Sequence, residues 1–300
     1  MQYPKISIVT VSYNQAGFLE STIRSLLDQA YPALEYIIID GGSTDGSVDI
    51  IRKYEKHLAF WISEKDNGMY DGLQKGLSRA TGEVMAWINS DDLFHPGSLW
   101  VAGEIFSAMP QVEWIQGMAS VIDETGRTVM VKNFRKWSKY NFFLGDPEHI
   151  QQESTFWRRS LWEKAGARLD TSLRYAGDYE LWLRFFDHAQ LHSVGTTLGA
   201  FRFRTKNQFT LEKMDDYNRE ANAALAARLG RLSEEEKKTL KKIRRYHERQ
   251  SPPAFLRKKR LQEYKSLFGF PLPISYDRKN AAFRLGDFAI TPPPGNETCL

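Results

Sequence analysis

The chain has 300 residues, 42% hydrophobic and 26% charged, with a formal net charge of +4. These values indicate a globular protein with enough apolar residues for a large core, and the mild charge does not by itself require a nucleic-acid or membrane partner. A single cysteine, Cys299, excludes a disulfide within the chain, and no apolar run approaches the roughly 20 residues needed to span a bilayer. Because the N-terminal residues form a strand pattern instead of a signal peptide, we expect a cytoplasmic protein.

The first part of the chain alternates between strand and helix patterns. The predicted strands cover 6–13, 35–40, 60–64 and 83–89, and the helices between them begin at Asn14–Gln15 and cover 47–57 and 69–80. This alternation is typical of a parallel α/β sheet, in which ligands bind beyond the carboxyl ends of the strands. Asp40 ends the second strand and Asp91–Asp92 follow the fourth, so we expect these carboxylates to face one crevice.

The second part of the chain has a mixed pattern. We predict a helix over 97–109, antiparallel strands over 113–123 and 128–134, helices over 160–166 and 178–189, and a late strand over 193–204. Beyond about residue 210 the sequence becomes charged and helical, over 211–230, 233–250 and 254–268, and it ends in a Pro-containing tail that we expect to be disordered. Residues 241–260 hold nine Lys or Arg and one Glu, which predicts a basic surface.

Motifs for several kinds of chemistry are absent from the sequence. The first predicted strand is followed by SYNQAG, which is neither the G-x-G-x-x-G of a Rossmann cofactor site nor the G-x-x-x-x-G-K-[ST] of a P-loop. There is no Cys cluster for zinc and no G-x-S-x-G elbow for a hydrolase. Carboxylates at strand and helix ends are therefore the main candidates for a functional site.

Each of these carboxylates has a structural and a chemical interpretation. Asp91 and Asp92 can form a turn, but two adjacent carboxylates at a crevice also suit a divalent cation that binds phosphate oxygens. Asp40 either starts a tight loop or accepts hydrogen bonds from a base or ribose. Asp178 begins the helix pattern DYELWLRFFDHA, where it is either an N-cap or a general base.

Five segments of the chain form a specific combination, namely PKISIVTVSYNQAGFLESTIRSLLDQAYP, EYIIIDGGSTDGS, EKDNGMYDGLQKGLSRATGE, WINSDD and AGDYELWLR. In this order they resemble a family 2 glycosyltransferase of the GT-A fold, over about residues 4–205. The resemblance implies an α/β fold with a mostly parallel central sheet flanked by helices and a C-terminal helical extension. It implies a domain over 1–210, with a nucleotide-binding half (1–100) and an acceptor and catalytic half (101–210), then a helical basic extension (211–290) and a disordered tail (291–300).

The resemblance also implies a role for each candidate residue. The nucleotide of a nucleotide-sugar would be held by Thr10, Ser12, Asp40, Asp66, Tyr70, Asp71 and Asp91. Asp92, with help from Asp91, would bind Mg²⁺ or Mn²⁺ on the diphosphate. Asp178 would be the catalytic base of an inverting transfer. Contacts with the diphosphate or the acceptor are expected from Arg204, Arg202, Gln152 and Trp182.

The sequence departs from the family pattern at three places. The aspartate pair lacks the spacer of a strict D-x-D motif, and Gln74 stands where relatives tend to have Asn, a change that affects a sugar or nucleotide contact. Arg204 stands near the place where relatives often have a metal-binding His, and Arg cannot coordinate a cation. Since Arg204 can pair with the diphosphate directly, we expect a weaker dependence on metal.

The expected function is transfer of a hexosyl or N-acetylhexosaminyl group from a nucleotide-sugar, with UDP as the expected carrier, in bacterial-type polysaccharide or glycolipid assembly. The acceptor would be a saccharide or a lipid-linked saccharide. Residues 151–166, rich in Gln, Ser and aromatic side chains, either contact this acceptor or belong to the core.

Three alternatives remain open at the level of sequence. The chain could be a nucleotide-binding protein of the same fold without catalysis, or a sugar-nucleotide pyrophosphorylase, although SYNQAG has few glycines for the latter. The basic helices are either a solvated face or a peripheral contact with the inner membrane surface. We expect no nucleic-acid partner, because no nucleic-acid-binding module is recognised.

Overall fold

The computed structural model describes residues 3–146, 148–205, 212–248 and 267–287, without the side chains of 246 and 247. Its strands are β1 (Ile6–Ser12), β2 (Leu34–Asp40), β3 (Phe60–Ser63), β4 (Val84–Asn89), β5 (Leu93–Phe94), β6 (Trp114–Gln116), β7 (Ser120–Ile122), β8 (Thr128–Val131), β9 (Thr155–Arg158), β10 (Leu191–Ser193), β11 (Gly199–Arg202), β12 (Ile274–Asp277) and β13 (Ala282–Leu285). Its α-helices are α1 (Ala16–Leu27), α2 (Ser47–Tyr54), α3 (Met69–Leu77), α4 (Ser98–Ala108), α5 (Lys139–Phe143), α6 (Arg159–Lys164), α7 (Gly177–Phe185), α8 (Met214–Leu229) and α9 (Glu234–Glu248).

A seven-stranded sheet in the order β10-β6-β9-β4-β1-β2-β3 forms the centre of the molecule. All its pairs are parallel except those that β9 makes with β4 and β6. Strand β1 is buried along its whole length, as its β-branched sequence predicts for a strand covered on both faces. The mostly parallel α/β fold expected from the sequence is therefore confirmed.

The register of the central strands places the candidate carboxylates at one edge. Ser12 at the end of β1 lies opposite Asp40 at the end of β2, and Val11 lies opposite Asn89 at the end of β4. Asp91 and Asp92 follow β4 directly. This edge, beyond the carboxyl ends of three parallel strands, is where such sheets bind their ligands.

A second sheet has the strand order β5-β11-β7-β8. It shows that two of the predicted strands are wrong as single strands, because each is divided between the two sheets. The strand predicted over 113–123 is divided between β6 in the central sheet and β7 in the second sheet. The strand predicted over 193–204 is divided in the same way into β10 and β11. At each crossing the chain passes close to other backbone. A Cβ on Gly199 would lie 1.9 Å from the backbone oxygen of Glu153, so only glycine fits there.

Strand β9 is not predicted by the sequence pattern, because its four residues are too few to show a period. Its Phe156 and Trp157 are fully buried. Residues 151–166 were expected either to contact the acceptor or to belong to the core. For these two aromatic side chains the structure supports the core.

The C-terminal part contains the two predicted charged helices, as α8 and α9, and a feature that was not predicted. Strands β12 and β13 form an antiparallel hairpin, so the segment 211–290 is not helical throughout. The domain boundary at 210, most of the predicted basic helix 254–268 and the tail 291–300 lie outside the described residues. Within the described ranges, no helix is both long and apolar enough to cross a membrane.

Candidate functional site

The ends of β1 and β2 form the first wall of the site. Asp40 is buried, and its carboxylate accepts hydrogen bonds from the backbone N–H of Gly42 and Ser43 and from the Ser43 and Ser63 hydroxyls, at 2.6–3.1 Å. These bonds favour the loop-forming interpretation of Asp40. Ser12 is also buried, and no described group hydrogen-bonds its hydroxyl.

The structure does not support the expected contact of Thr10 with the nucleotide. Thr10 is fully buried, and its hydroxyl lies 3.1 Å from the hydroxyl of Tyr36. A residue that the sequence interpretation missed stands nearby. Tyr13, directly after β1, is 63% exposed. Asn14, which follows it, has a left-handed backbone with φ 51° and ties this turn to Ser43 through its N–H. The sequence SYN contained this signal, because it places an aromatic residue directly after a buried strand.

The turn before α3 and the first turn of this helix hold two of the predicted nucleotide ligands, Asp66 and Asp71. Asp66 accepts a hydrogen bond from the N–H of Gly68, and Asp71 accepts one from the N–H of Asn67. Both carboxylates are partly exposed, and that of Asp66 lies against Gly41 in the loop after β2. Gln74, one of the departures from the family pattern, accepts from the N–H of Leu169 at 2.6 Å, away from these groups.

Tyr70 does not belong to the same wall. It is buried, and its hydroxyl donates to the carbonyl of Tyr175 at 2.9 Å and lies 3.3 Å from Oδ1 of Asp178. A Cβ on Gly177 would lie 2.8 Å from the Tyr70 ring, so glycine is required for this approach. Tyr70 therefore contacts the candidate base instead of lining a nucleotide pocket.

Asp178 lies in the first turn of α7 and is partly exposed. Burial raises the pKa of its carboxyl from 3.8 to about 6, although hydrogen bonds from the Tyr179 N–H and the Tyr70 hydroxyl act in the opposite direction. A carboxylate with a pKa just below neutrality is largely deprotonated at pH 7 and is a better proton acceptor than an ordinary aspartate. The geometry thus suits a general base.

Glu153 is an acidic residue that the sequence interpretation did not select. It is buried on the short 3-10 helix Gln152–Ser154, and burial raises its pKa to about 7, with a smaller contribution from the charge of Asp178. Its own charge contributes to the raised pKa of Asp92. Glu153 therefore interacts with both Asp178 and Asp92, which places the three acidic groups in one region.

The two predicted acceptor contacts differ in their positions. Gln152 is partly exposed, and its Nε2 donates to Glu153 at 3.1 Å. Trp182 is 1% exposed and stacks on Trp87 with ring centroids 5.7 Å apart. The position four residues after Asp178 on α7 faces the core, so the structure does not support the expected contact of Trp182 with an acceptor.

The aspartate pair is divided between an accessible and an inaccessible carboxylate. Asp92 is 1% exposed, and its two oxygens accept from the N–H of Arg202 at 2.8 Å and from Nδ2 of Asn89 at 3.1 Å. The Asp91 side chain is 19% exposed and forms an ion pair with Arg204 at 3.2 Å. The preference for Asp92 as the cation ligand is not supported by this geometry, which favours Asp91.

The pKa values of the pair follow from the same arrangement. Burial raises the pKa of Asp92 well above its usual range, and the charge of Asp91 adds to this. Burial also raises the pKa of Asp91, while the guanidinium of Arg204 opposes the shift. The two adjacent carboxylates are tolerated because one is enclosed by donors and the other is paired with a cation.

Arg202 has a structural role that the sequence did not reveal. It is buried, and its guanidinium donates to the carbonyl oxygens of Asp91, Asp123 and Glu124 at 2.5–3.0 Å. Its expected contact with a diphosphate is not supported, since its donors point at these carbonyls. Arg204, two residues after the end of β11, is the cation beside Asp91.

A divalent cation would have few ligands here. Among the described residues, no group of three or more His, Cys, Asp or Glu side chains could hold a metal ion. One accessible carboxylate at Asp91 still fits Mg²⁺ or Mn²⁺, because such ions are often held by one or two carboxylates together with substrate phosphates and water.

Solved structures with a similar fold include nucleotide-sugar enzymes. The structure of S. aureus TarS 1–349 in complex with UDP-GlcNAc has a TM-score of 0.64 at 17% identity, covering 79% of this chain and 70% of that chain. The mannosyltransferase PcManGT from Pyrobaculum calidifontis, in complex with GDP-Man and Mn²⁺, has a TM-score of 0.55 at 16% identity, covering 88% of this chain and 70% of that chain. At these identities the similarity shows the fold.

Curated relatives are more similar in sequence. An uncharacterised glycosyltransferase of Mycobacterium tuberculosis is 31% identical over 186 residues, which cover 60% of this chain and 68% of the relative. TuaG of Bacillus subtilis, named as a candidate glycosyltransferase of teichuronic acid biosynthesis, is 32% identical over 152 residues, 49% of this chain and 55% of the relative. The family model described as glycosyl transferase family 2 matches residues 7–189, which include every candidate carboxylate discussed above. The chain therefore belongs to glycosyl transferase family 2 and is a glycosyltransferase.

Proposed function

We propose that this glycosyltransferase transfers a sugar from a UDP-linked donor to an acceptor hydroxyl, with inversion at the anomeric carbon, in polysaccharide or glycolipid assembly. The observation that carries the proposal is the position of Asp178, a partly exposed carboxylate with a pKa of about 6, held at the start of α7 by Tyr70. The UDP-GlcNAc bound to TarS and the teichuronic acid assignment of TuaG support the donor and the pathway class.

The proposed reaction breaks the bond between the anomeric carbon and the diphosphate oxygen. Asp178 accepts the proton of the acceptor hydroxyl, whose oxygen forms the new bond from the opposite face of the sugar ring. Such general-base assistance is typically worth about 10²–10⁴-fold in rate. Because attack and departure occur on opposite faces, the product has the inverted configuration.

The leaving diphosphate requires positive charge. Arg204 lies beside Asp91 at the edge of the crevice and can pair with a phosphate oxygen. A divalent cation bound through Asp91 would add charge to the same oxygens. Ser12, whose buried hydroxyl has no described partner, and the exposed ring of Tyr13 are the proposed contacts with the nucleoside.

The proposal is tested by hydrolysis of nucleotide-sugars in the absence of an acceptor, when water takes the place of the acceptor hydroxyl. We expect slow release of UDP from at least one of UDP-GlcNAc, UDP-glucose and UDP-galactose in the presence of Mn²⁺, and no release of GDP from GDP-mannose. Binding of a donor without turnover would favour the catalytically inactive alternative. Absence of both binding and turnover across this panel would contradict the use of a nucleotide-sugar.

The role of Asp91 is tested by calorimetric titration with UDP. We expect Mn²⁺ to tighten UDP binding to the wild type roughly tenfold, about 1.4 kcal/mol. In Asp91→Asn this gain should disappear, because an amide oxygen without charge is a poor ligand for the cation. Asp49→Asn, at an 81% exposed side chain on α2, is the matched control and should keep the full gain. Equal affinities of the wild type with and without Mn²⁺ would exclude the metal site.

A further inference from the structure

Helix α8 follows the region matched by the family model, which ends at residue 189, and it contacts the turn that leads into α7. Glu220 on α8 accepts hydrogen bonds from three consecutive backbone N–H groups, those of Arg174, Tyr175 and Ala176, at distances between 2.8 and 3.1 Å. The convergence of three backbone donors on one carboxylate fixes this turn to α8.

This contact supplies a hydrogen-bond acceptor at the start of α7, where the helix has no side-chain cap. Ala176 occupies the N-cap position of α7 and has no side-chain oxygen with which to cap the helix. Backbone N–H groups at a helix start need acceptors, and negative charge is favourable there. From a different helix, Glu220 provides an acceptor for the N–H of the N-cap residue Ala176 and negative charge beside the start of α7.

The peptide backbone at Tyr175 is held by Tyr70 as well as by Glu220. The carbonyl of Tyr175 accepts from the hydroxyl of Tyr70, while its N–H donates to Glu220. The Tyr70 hydroxyl also lies 3.3 Å from Oδ1 of Asp178. The position of the base therefore depends on α3 through Tyr70 and on α8 through Glu220.

Helix α8 also packs against α7 itself, and Tyr217 lies on the same face of α8 as Glu220. The Tyr217 ring lies against that of His149, with centroids 5.1 Å apart and planes tilted by 32°. Burial, and then the charge of Asp178, raises the pKa of the Tyr217 hydroxyl well above its usual range. Helix α8 thus contacts the turn before α7 through Glu220, and one turn earlier Tyr217 interacts electrostatically with Asp178.

We propose that Glu220 is a positioning residue for Asp178, and that α8 is part of the catalytic unit although it lies beyond the family-matched region. By fixing the turn over 174–176, Glu220 directs the Asp178 carboxylate toward the hydroxyl that it deprotonates. This inference rests on the proposed function, in which Asp178 is the base.

The test compares Glu220→Ala and Glu220→Gln with Asp215→Ala, which removes an exposed carboxylate from the same helix. Hydrolysis of UDP-GlcNAc, UDP-glucose and UDP-galactose without acceptor is followed across pH, UDP affinity is measured by calorimetry, and amide exchange is measured over residues 172–182. Tyr70, Glu153 and Tyr217, which interact with Asp178 from α3, the 3-10 helix and α8, are unchanged in all variants.

We expect Glu220→Ala to lower the hydrolysis rate about 10²-fold, the usual effect of a misplaced catalytic group, and to leave UDP affinity unchanged. The acid limb of its pH profile should move from about 6 toward the ordinary aspartate value, and exchange over 172–182 should rise. Glu220→Gln keeps one acceptor oxygen and should retain most of the rate.

A rate and acid limb in Glu220→Ala equal to those of Asp215→Ala would overturn the positioning role, and so would unchanged amide exchange. A loss of rate matched by an equal loss of UDP affinity would also overturn it, because it would indicate general unfolding. Faster exchange in Glu220→Ala, together with no turnover of any of the three UDP-sugars by the wild type, would instead contradict the proposed function, and the positioning role with it.

Discussion

Asp178→Asn is expected to lower the turnover number by about 10²–10⁴-fold while UDP binds with unchanged affinity. The amide cannot accept the proton of the acceptor hydroxyl, but it keeps an oxygen that can accept from Tyr70. The rate is measured as nucleoside diphosphate release, and the affinity by calorimetry. Asp49→Asn, at the exposed carboxylate on α2, should behave as the wild type.

The same substitution should stabilise the protein. The pKa of Asp178 is about 6 in the folded chain and 3.8 as an ordinary carboxyl, so the ionised form is disfavoured by folding. This cost is absent below the unfolded pKa, grows as pH rises toward the folded pKa, and is complete above it. Asp178→Asn should therefore raise stability at pH 7.5 by on the order of 1–3 kcal/mol, with no gain at pH 3.5.

Two results would contradict this role for Asp178. One is turnover within tenfold of the wild type, which would leave the proton of the acceptor to another group. The other is a parallel loss of UDP affinity, which would place Asp178 in nucleotide binding. In the wild type, activity should fall as pH drops through about 6, when the Asp178 carboxylate is protonated.

Arg202→Met is expected to destabilise the protein by about 3–5 kcal/mol, the usual cost of removing one partner from a buried charged network. The guanidinium joins the carbonyl of Asp91 to those of Asp123 and Glu124, and it lies 5.0 Å above the ring of Phe18. Methionine has a similar length and no donors, so the three carbonyl oxygens lose their hydrogen bonds from the guanidinium. Urea unfolding monitored by tryptophan fluorescence measures the change.

Arg24→Ala provides the comparison for Arg202→Met. Arg24 is 61% exposed and pairs with Asp28 on α1. Exposed pairs of this kind contribute little, typically below 1 kcal/mol. If Arg202→Met cost no more than Arg24→Ala, the assignment of Arg202 to the support of the Asp91 turn would be wrong.

The sequence predicted the first half of the fold well, because its signals are local. Strands such as β1 and β2 are long, apolar runs, and each is followed by a helix with its own period. Local sequence signals fail where the chain passes from one sheet to the other. The three residues of β6 and the three of β7 lie in one continuous strand-like segment, and the close approach of Gly117 to the backbone of Leu198 marks where they divide.

The sequence indicated where the candidate site lies, but it did not indicate which of the side chains there are accessible. Asp178 is identified by its helix pattern and by the resemblance, and the structure gives it the environment of a base. Which member of the Asp91–Asp92 pair is accessible depends on the N–H of Arg202, which comes from a distant strand. Glu220 was not predictable, because its partners are backbone groups far away in the sequence.

The most direct test of the central claim is the configuration of the sugar that is first released from an α-linked donor. With the donor that the hydrolysis panel shows to be turned over, proton NMR follows the anomeric signals before mutarotation mixes them. Attack on the face opposite the diphosphate, with Asp178 as the base, predicts that the β-anomer appears first. Initial release of the α-anomer would contradict the account.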